Sequence, residues 1–333
     1  MHRKPKILVV GSFVMDVIAT TERVPASGQT VYGNSFHMAP GGKGANQALQ
    51  CARLGADVTM MGCVGDDLFG QRLLETPREA GVDVSHVVVR PGISSGVGHV
   101  TLEVTDHTAQ NRIVVIRGAN AALTLEDVAW IQKEIHTYDM VLLQLEIPLE
   151  VNRAVAGWAH AAGVPVMLNP APATDLDEQL LQSVTYIIPN EQEASVETGL
   201  PLRTEGGQLR REDLESIVAK LCSYGVANVI ITLGGHGSAV VKPDGIQYIP
   251  IVQMPHVADP TAAGDSYVGA LAVGLTIGLP LEDAMVFASH TAAITVSRMG
   301  AMPSLPTLEE VELLLQDRNC RSISRACLEA LRA

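Results

Sequence analysis

Asp265 closes a loop of small residues, Ala258-Asp259-Pro260-Thr261-Ala262-Ala263-Gly264, at the point where an apolar helical stretch, Tyr267–Ile277, begins. A helix that starts in this way presents N–H groups without intrahelical partners, and these stabilise negative charge building up on a transferring group. A carboxylate at the junction can take the proton of an attacking hydroxyl. Asp265 therefore reads as a candidate general base beside the loop's N–H groups; the alternative is that Asp265 only caps its helix. A second segment, Gly41-Gly42-Lys43-Gly44-Ala45-Asn46-Gln47-Ala48, also leads from glycines into a helix. Its small residues allow close backbone approach, and Lys43 and Asn46 add donors suited to a polyhydroxylated ligand. The alternative is an ordinary glycine-rich turn. It is not a phosphate loop of the GxxxxGK[ST] type.

Two further segments follow apolar strand patterns. In Pro189-Asn190-Glu191-Gln192-Glu193, an amide and carboxylates sit where open α/β sheets bind ligands, suiting Mg²⁺-water and phosphate contacts. The alternative is a helix N-terminus with an acidic first turn. Thr232-Leu233-Gly234-Gly235-His236-Gly237 can wrap the phosphates or base edge of a nucleotide, or simply turn a strand into a hairpin. His236 has no orienting carboxylate nearby in sequence, so it reads as a solvated member of that loop and not as a catalytic group.

Other chemistries find no support. Gly11-Ser12-Phe13-Val14-Met15-Asp16 after the first strand pattern is not GxGxxG, which argues against a nicotinamide-dependent oxidoreductase. There is no GxSxG elbow and no HExxH, and the ten histidines show no metal-ligand spacing. The five cysteines form no CxxC pair, which points to reduced thiols and a cytoplasmic setting. A formal net charge of −13 without a basic run excludes a dedicated nucleic-acid binder. The apolar run Val268–Leu281 is shorter than the ~20 residues of a membrane span and reads as a buried core helix.

The elements that must position these groups alternate. Ile7–Val10, Val58–Met61, Met140–Leu145, Val164–Leu168, Tyr186–Ile188 and Val229–Thr232 are continuous apolar runs of strand length, as in a parallel sheet covered on both faces. Helical patterns lie between them at Ala45–Leu54, Leu125–Ile135, Pro148–Ala162, Glu191–Thr198 and Arg211–Tyr224. Thr124 and Asp127 have capping-box spacing, and Pro77 predicts a break or kink near Thr76 within the pattern Leu68–Ala80. The pattern predicts an α/β fold with a doubly wound sheet. Phe13–Met38 and Ser95–Val115 instead alternate polar and apolar residues, as strands of a small second sheet. Such a sheet needs a substrate, the main body or a second subunit to cover its apolar face. Residues 262–315 read as mostly helical, and Asn319–Ala333 as a surface helix or loose tail. With 47% hydrophobic and 18% charged residues, the 333-residue chain can bury a large core; at ~150 residues per domain its length fits two domains or one large α/β unit.

In order and spacing the segments resemble the ribokinase-like (PfkB-type) carbohydrate kinases. The resemblance runs from Ile7 to about Leu315 and includes GGKGANQA at Gly41–Ala48, GDD at Gly65–Asp67, GAN at Gly118–Asn120, QLE at Gln144–Glu146, NPAPA at Asn169–Ala173, PNEQE at Pro189–Glu193 and AAGD at Ala262–Asp265. It implies one ribokinase-like α/β domain over residues 1–333, with a mostly parallel doubly wound sheet flanked by helices. A β-sheet lid, formed by about 13–40 and 95–117, would also pair two subunits into a homodimer. It implies ATP-dependent phosphorylation of the 5-hydroxyl of a pentose, ribose first, with ATP, Mg²⁺ and a monovalent cation, usually K⁺. Asp16, Gly42, Lys43, Asn46 and Glu146 would hold the sugar beside Asp265, which would be the base, with the backbone of Ala262, Ala263 and Gly264 as the anion hole. Asn190, Thr232, Gly234, Gly235, His236 and Gly237 would contact ATP, together with Gly264 and with Ser289 near the adenine, and Glu193 would organise Mg²⁺. Asp259, Thr261, Thr295, Arg298, Gly300 and Ser304 match the cation positions, several through carbonyls.

This chain also departs from the family pattern. Val14 stands where ribose-phosphorylating members have Asn in GSxNxD, and a site without that amide favours a sugar lacking the matching hydroxyl. That makes 2-deoxyribose a competitor to ribose, with a non-catalytic sugar sensor as the alternative from another class. Pro260 and Ala262 depart from the commoner DTTGAGD form.

Overall fold

The computed structural model describes residues 3–104, 109–174, 178–205, 208–242, 245–318, 320 and 323–332. Its centre is an eight-stranded sheet. Six strands are parallel, in the spatial order Asp57–Met61, Lys6–Val10, Met140–Gln144, Val166–Asn169, Tyr186–Ile187 and Asn228–Thr232. Two antiparallel strands, Ser238–Lys242 and Gly245–Ile249, extend it at one edge. Each apolar run expected to be a strand lies in this sheet, because helices cover both faces. Ile7 and Val9 enter one core with the helices Lys43–Arg53, Ala263–Thr276 and Leu281–Val296. Leu8 and Val10 enter the other with Leu149–Ala161 and Arg211–Ser223.

The small second sheet has the order Ser35–Gly41, Val14–Thr21, Gly96–Val104, Ala109–Ile116. It is mixed, since Val14–Thr21 runs antiparallel to Ser35–Gly41 and parallel to Gly96–Val104. Both edge strands expose apolar side chains, Phe36 and Met38 on one and Ile113, Val114, Val115 and Ile116 on the other.

Several local expectations need correction. Pro77 does not interrupt its helix, which runs Leu68–Glu79; it lies in the last turn, so the hydrogen bond its missing N–H forfeits falls where the helix is ending anyway. The pattern Leu125–Ile135 is broken into Leu125–Val128, capped by the Thr124/Asp127 box, and Ile131–Glu134. The apolar run Val268–Leu281 is not one helix, for a turn containing Gly278 (φ 85°) and Pro280 separates two. The tail is no loose appendage: Ile323, Leu328 and Leu331 are buried in the core that holds Ile7, and Arg332 pairs with Glu312. All five cysteines are free. Among the described residues no helix is long and apolar enough to cross a membrane.

Candidate active site

The parallel strands end on one side of the sheet, and the polar segments gather there. Ser12 follows the first strand, Gln144 and Asn169 face each other as register partners at the ends of theirs, and Asn190 bridges Thr232 beyond the next two. Carboxyl ends of parallel strands are where open α/β sheets bind ligands, since the loops there can diverge and leave a crevice.

The glycine-rich segment opens the helix Lys43–Arg53 against the chain turn at 11–14. Gly42 is the N-cap, with φ 97°, and a Cβ there would lie 2.7 Å from the Val14 nitrogen. Only glycine fits that junction. The helix entrance is tied by Ala45 N–H to the Ser12 carbonyl (3.0 Å) and by Lys43 N–H to Glu146 Oε2 (3.1 Å), and the Ser12 hydroxyl donates to the same Glu146 oxygen. Asn120 clamps the opposite side, donating to the Phe13 carbonyl at 2.7 Å and accepting Phe13 N–H at 2.9 Å. The segment 12–16 therefore leaves the main sheet along a fixed path. Val14 and Asp16, two apart on a strand, share one face, opposite Gly41 and Gly96 and opposite Ala39 and Gly98 respectively. Small neighbours on both sides leave room above the two side chains; a Cβ at Gly98 would lie 2.3 Å from Asp16 Oδ1.

Asp265 lies on the first turn of Ala263–Thr276 and is buried. It is not the cap. The N-cap is Ala262, a non-glycine residue in the left-handed region (φ 61°), and no side chain caps that terminus. Both Asp265 oxygens accept from the glycine-segment helix instead: Oδ2 from Asn46 Nδ2 at 2.8 Å and Oδ1 from Gln47 Nε2 at 3.1 Å. Ala263 N–H turns onto the Pro260 carbonyl at 3.2 Å, so this expected anion-hole member is committed within the loop. The N–H groups of Gly264 and Asp265 have no main-chain partner among the described residues, as the first turn of a helix requires. Open space surrounds Gly264, with nothing within 4 Å of where a Cβ would project.

Electrostatics tie these pieces together. Burial opposes charge on Lys43, but the carboxylates of Asp265, Glu146 and Glu193 outweigh it and raise the ammonium's pKa. Burial, reinforced by Glu146 and Asp265, pushes the Asp16 carboxyl up to about 6. Glu193 is also raised, by burial first and by Asp265, against the opposing effects of Asn190 N–H and Lys43. Asn190 and Glu193 form a capping box on Glu191–Thr198, so that segment is a helix terminus, and the box lies within electrostatic range of Lys43 and Asp265. One turn on, the Glu197 carboxyl is pushed up to about 9 by burial and by Glu193, and its oxygens have no hydrogen-bond partner among the described residues.

Thr232 N–H bonds to the Pro189 carbonyl at 3.0 Å, which brings the Gly234–His236 turn beside Asn190. Gly234, Gly235 and His236 are exposed and Gly237 is half-buried. Ser289 is buried on Leu281–Val296, and no described hydrogen bond joins it to that turn. Of the cation positions, Asp259 accepts Thr261 N–H and hydroxyl through Oδ1 (2.9 and 2.6 Å) and Gly300 N–H through Oδ2 (2.9 Å). Burial would raise its pKa, but these bonds lower it. Thr295 is buried and donates to Ser266, Ser304 donates to the Ala301 carbonyl, and the Arg298 side chain turns away to pair with Glu310. No group of three or more His, Cys, Asp or Glu able to hold a metal occurs among the described residues.

Sequence reasoning gave no role to Ser12, Gln47 or Asn120, nor separate roles to Gln144 and Asn169 within their motifs. Gln47 was visible only as a polar residue on a helix whose buried face should be apolar.

The pfkB family carbohydrate kinase model matches residues 4–308. A ribokinase of Schizosaccharomyces pombe is 38% identical over 92% of this chain and 96% of its own length. A deoxyribokinase of Salmonella typhi is 31% identical over 91% of this chain and 96% of its own. The structure of Arabidopsis thaliana ribokinase complexed with ribose and ATP superposes with a TM-score of 0.85 at 32% identity, covering 94% of this chain and 99% of that one. Motifs at the carboxyl ends of a covered parallel sheet, a buried carboxylate at a helix start and relatives matched nearly end to end lead to one conclusion: the chain belongs to the pfkB family of carbohydrate kinases, ATP-dependent sugar kinases.

Proposed function

We propose that this kinase transfers the terminal phosphoryl group of ATP to the 5-hydroxyl of ribose, giving ribose 5-phosphate and ADP. The observation behind this reading is the Asp265 carboxylate, buried at the free N–H end of its helix and oriented by the same helix that presents Lys43 and Asn46. As the sugar oxygen bonds to phosphorus, its proton passes to Asp265 and the electron pair of the breaking bond goes to the ADP oxygen. The amides of Gly264 and Asp265, with Ala262 holding the loop, face the charge on the transferring group. Asp16, Lys43, Asn46 and Glu146 hold the hydroxyls; Asn46 Oδ1 is buried without a partner among the described residues and suits a donated sugar hydroxyl. Asp265→Asn should lower kcat by ~10²–10⁴-fold with little change in sugar affinity; near-normal turnover removes Asp265 from the base role.

A second reading, 2-deoxyribose, is favoured by Val14. It is buried on the same strand face as Asp16 and offers no hydrogen bond. The purified enzyme should be assayed on both pentoses, and Val14→Asn should move preference toward ribose; an unchanged ratio excludes Val14 as the discriminator.

Asn190, Thr232 and the Gly234–Gly237 turn are assigned to ATP, with Glu193 serving Mg²⁺. Magnesium commonly takes one or two carboxylates plus phosphates and waters, so the donor set fits, and when bound it neutralises phosphate charge. The loop oxygens around Asp259 and Gly300 would hold a monovalent cation, K⁺, which would supply positive charge beside the anion hole. The small sheet is assigned as lid and as the contact of a homodimer, on the strength of the exposed apolar residues on its two edge strands. Free cysteines accord with a cytoplasmic setting.

A further inference from the structure

Between the sheet and Asp265 lies a chain of fully buried amides that the sugar and nucleotide assignments do not use. Gln47 and Gln144 are both 0% exposed, and Asn169 is 8% exposed. Gln47 Nε2 donates to Asp265 Oδ1 at 3.1 Å and to Asn169 Oδ1 at 3.2 Å. Its Oε1 accepts from Gln144 Nε2 at 2.6 Å. The Asn169 end is anchored on main chain, Nδ2 donating to the Ile188 carbonyl at 3.1 Å; at the other end the Gln144 main-chain carbonyl accepts from Asn152 Nδ2 at 2.7 Å, and the Gln144 side-chain Oε1 has no hydrogen-bond partner among the described residues. Gln144 Oε1 packs against Gly11, where a Cβ would come within 2.0 Å.

The Asn169 end of the chain sets the sense of the rest. The Ile188 carbonyl can only accept, so the Asn169 Nδ2 faces it and the Asn169 oxygen faces Gln47. Gln47 must therefore turn its NH₂ to Asn169 and Asp265, which leaves its oxygen to accept from Gln144. The sense in which Gln47 meets the carboxylate is thus the one that Asn169, at the end of a sheet strand, requires, and the acceptor-only carboxylate requires the same.

We propose that Gln47 is a positioning residue, locked by Gln144 and Asn169, that fixes the plane of the Asp265 carboxylate so that its other face meets the sugar hydroxyl. The proposal rests on the reading of Asp265 as the base. Removing a hydrogen bond to a charged group, with little effect on substrate contacts, should appear in kcat and not in KM. Gln47→Met keeps the side-chain length and removes both hydrogen-bonding groups. It should lower kcat about 10- to 100-fold, with KM for sugar and for ATP within about threefold of the parent.

Gln144→Met leaves Gln47 in place but removes its lock, and should show the same split with a smaller loss. The double variant should be no slower than Gln47→Met alone, because both act through one contact. Should Gln47→Met fail to fold, Gln144→Met decides alone. A kcat within twofold of the parent, a KM that rises in step, or a double variant whose losses multiply would overturn the proposal. Asp265→Asn assayed beside them separates the two readings: a crippled Asp265→Asn with an intact Gln47→Met rejects the positioning role only, whereas an active Asp265→Asn rejects the base itself.

Discussion

Sugar affinity should depend on pH through Asp16. Its carboxyl is raised to about 6 by burial beside Glu146 and Asp265, from an ordinary value of 3.8. As a carboxylate it accepts sugar hydroxyls through both oxygens; once protonated it loses part of that capacity. If only the ionised form binds, the apparent dissociation constant scales with the inverse of the ionised fraction. With a pKa of about 6, that fraction is about one-tenth at pH 5, one-half at pH 6 and near unity at pH 8. Affinity should therefore fall about 10-fold from pH 8 to pH 5. A carboxyl with the ordinary value of 3.8 would change by only ~10% over the same span.

The sign also fixes the proton count. Below pH 6 the free enzyme holds a proton that the sugar displaces, so binding releases it, and titrations in buffers of different ionisation heat should show that release. Isothermal titration with the sugar from pH 5 to 8, on the parent and on Asp16→Asn, tests the reasoning. The variant should bind ~10–100-fold more weakly, with a flat profile. A flat parent profile, or an unchanged slope in Asp16→Asn, refutes the assignment of this titration to Asp16.

Other outcomes follow from single observations. The Glu197 carboxyl, raised to about 9, is protonated in the folded protein where the unfolded chain has already lost the proton, so its contribution to stability declines as pH rises from about 4.5 toward 9. Glu197→Gln should melt higher than the parent at pH 8.5, and the gap should close by pH 5. Ala262→Gly should relieve a left-handed alanine, a gain of ~1–2 kcal/mol reduced by ~0.4–1 kcal/mol of unfolded-state entropy. The melting point should rise by up to ~2 °C, and a clear fall would contradict that backbone conformation. Replacing exposed Met38 and Val114 with Glu should reduce the mass seen by light scattering to the 35.3 kDa of one chain, while a parent already at that mass rejects the lid as a subunit contact.

Much of this molecule was legible in one dimension. The six buried runs could be placed as parallel strands because such strands are apolar on both faces, and no other element of that length combines β-branched content with missing alternation. The alternation in Phe13–Met38 and Ser95–Val115 announced a different, small sheet. Asp265 and the glycine segment were recognisable because a carboxylate after small residues at a helix start is a local arrangement. Local signals failed where neighbours decided. Pro77 was tolerated because its helix ends two residues later, and the tail became core because Leu328 and Leu331 found an uncovered apolar surface beside Gly55.

The composition and spacing of the chain determined the sheet, the helix starts and the residue types that meet at the strand ends. Only the tertiary structure decided how they meet: that Asp265 is bound by Asn46 and Gln47 and caps nothing, that the Ala263 amide is occupied, and that Gln144 and Asn169 reach Gln47. The reason is physical. A helix or strand preference is settled within a few residues, whereas a hydrogen bond between positions 47 and 265 depends on the packing of the two helices that bear them.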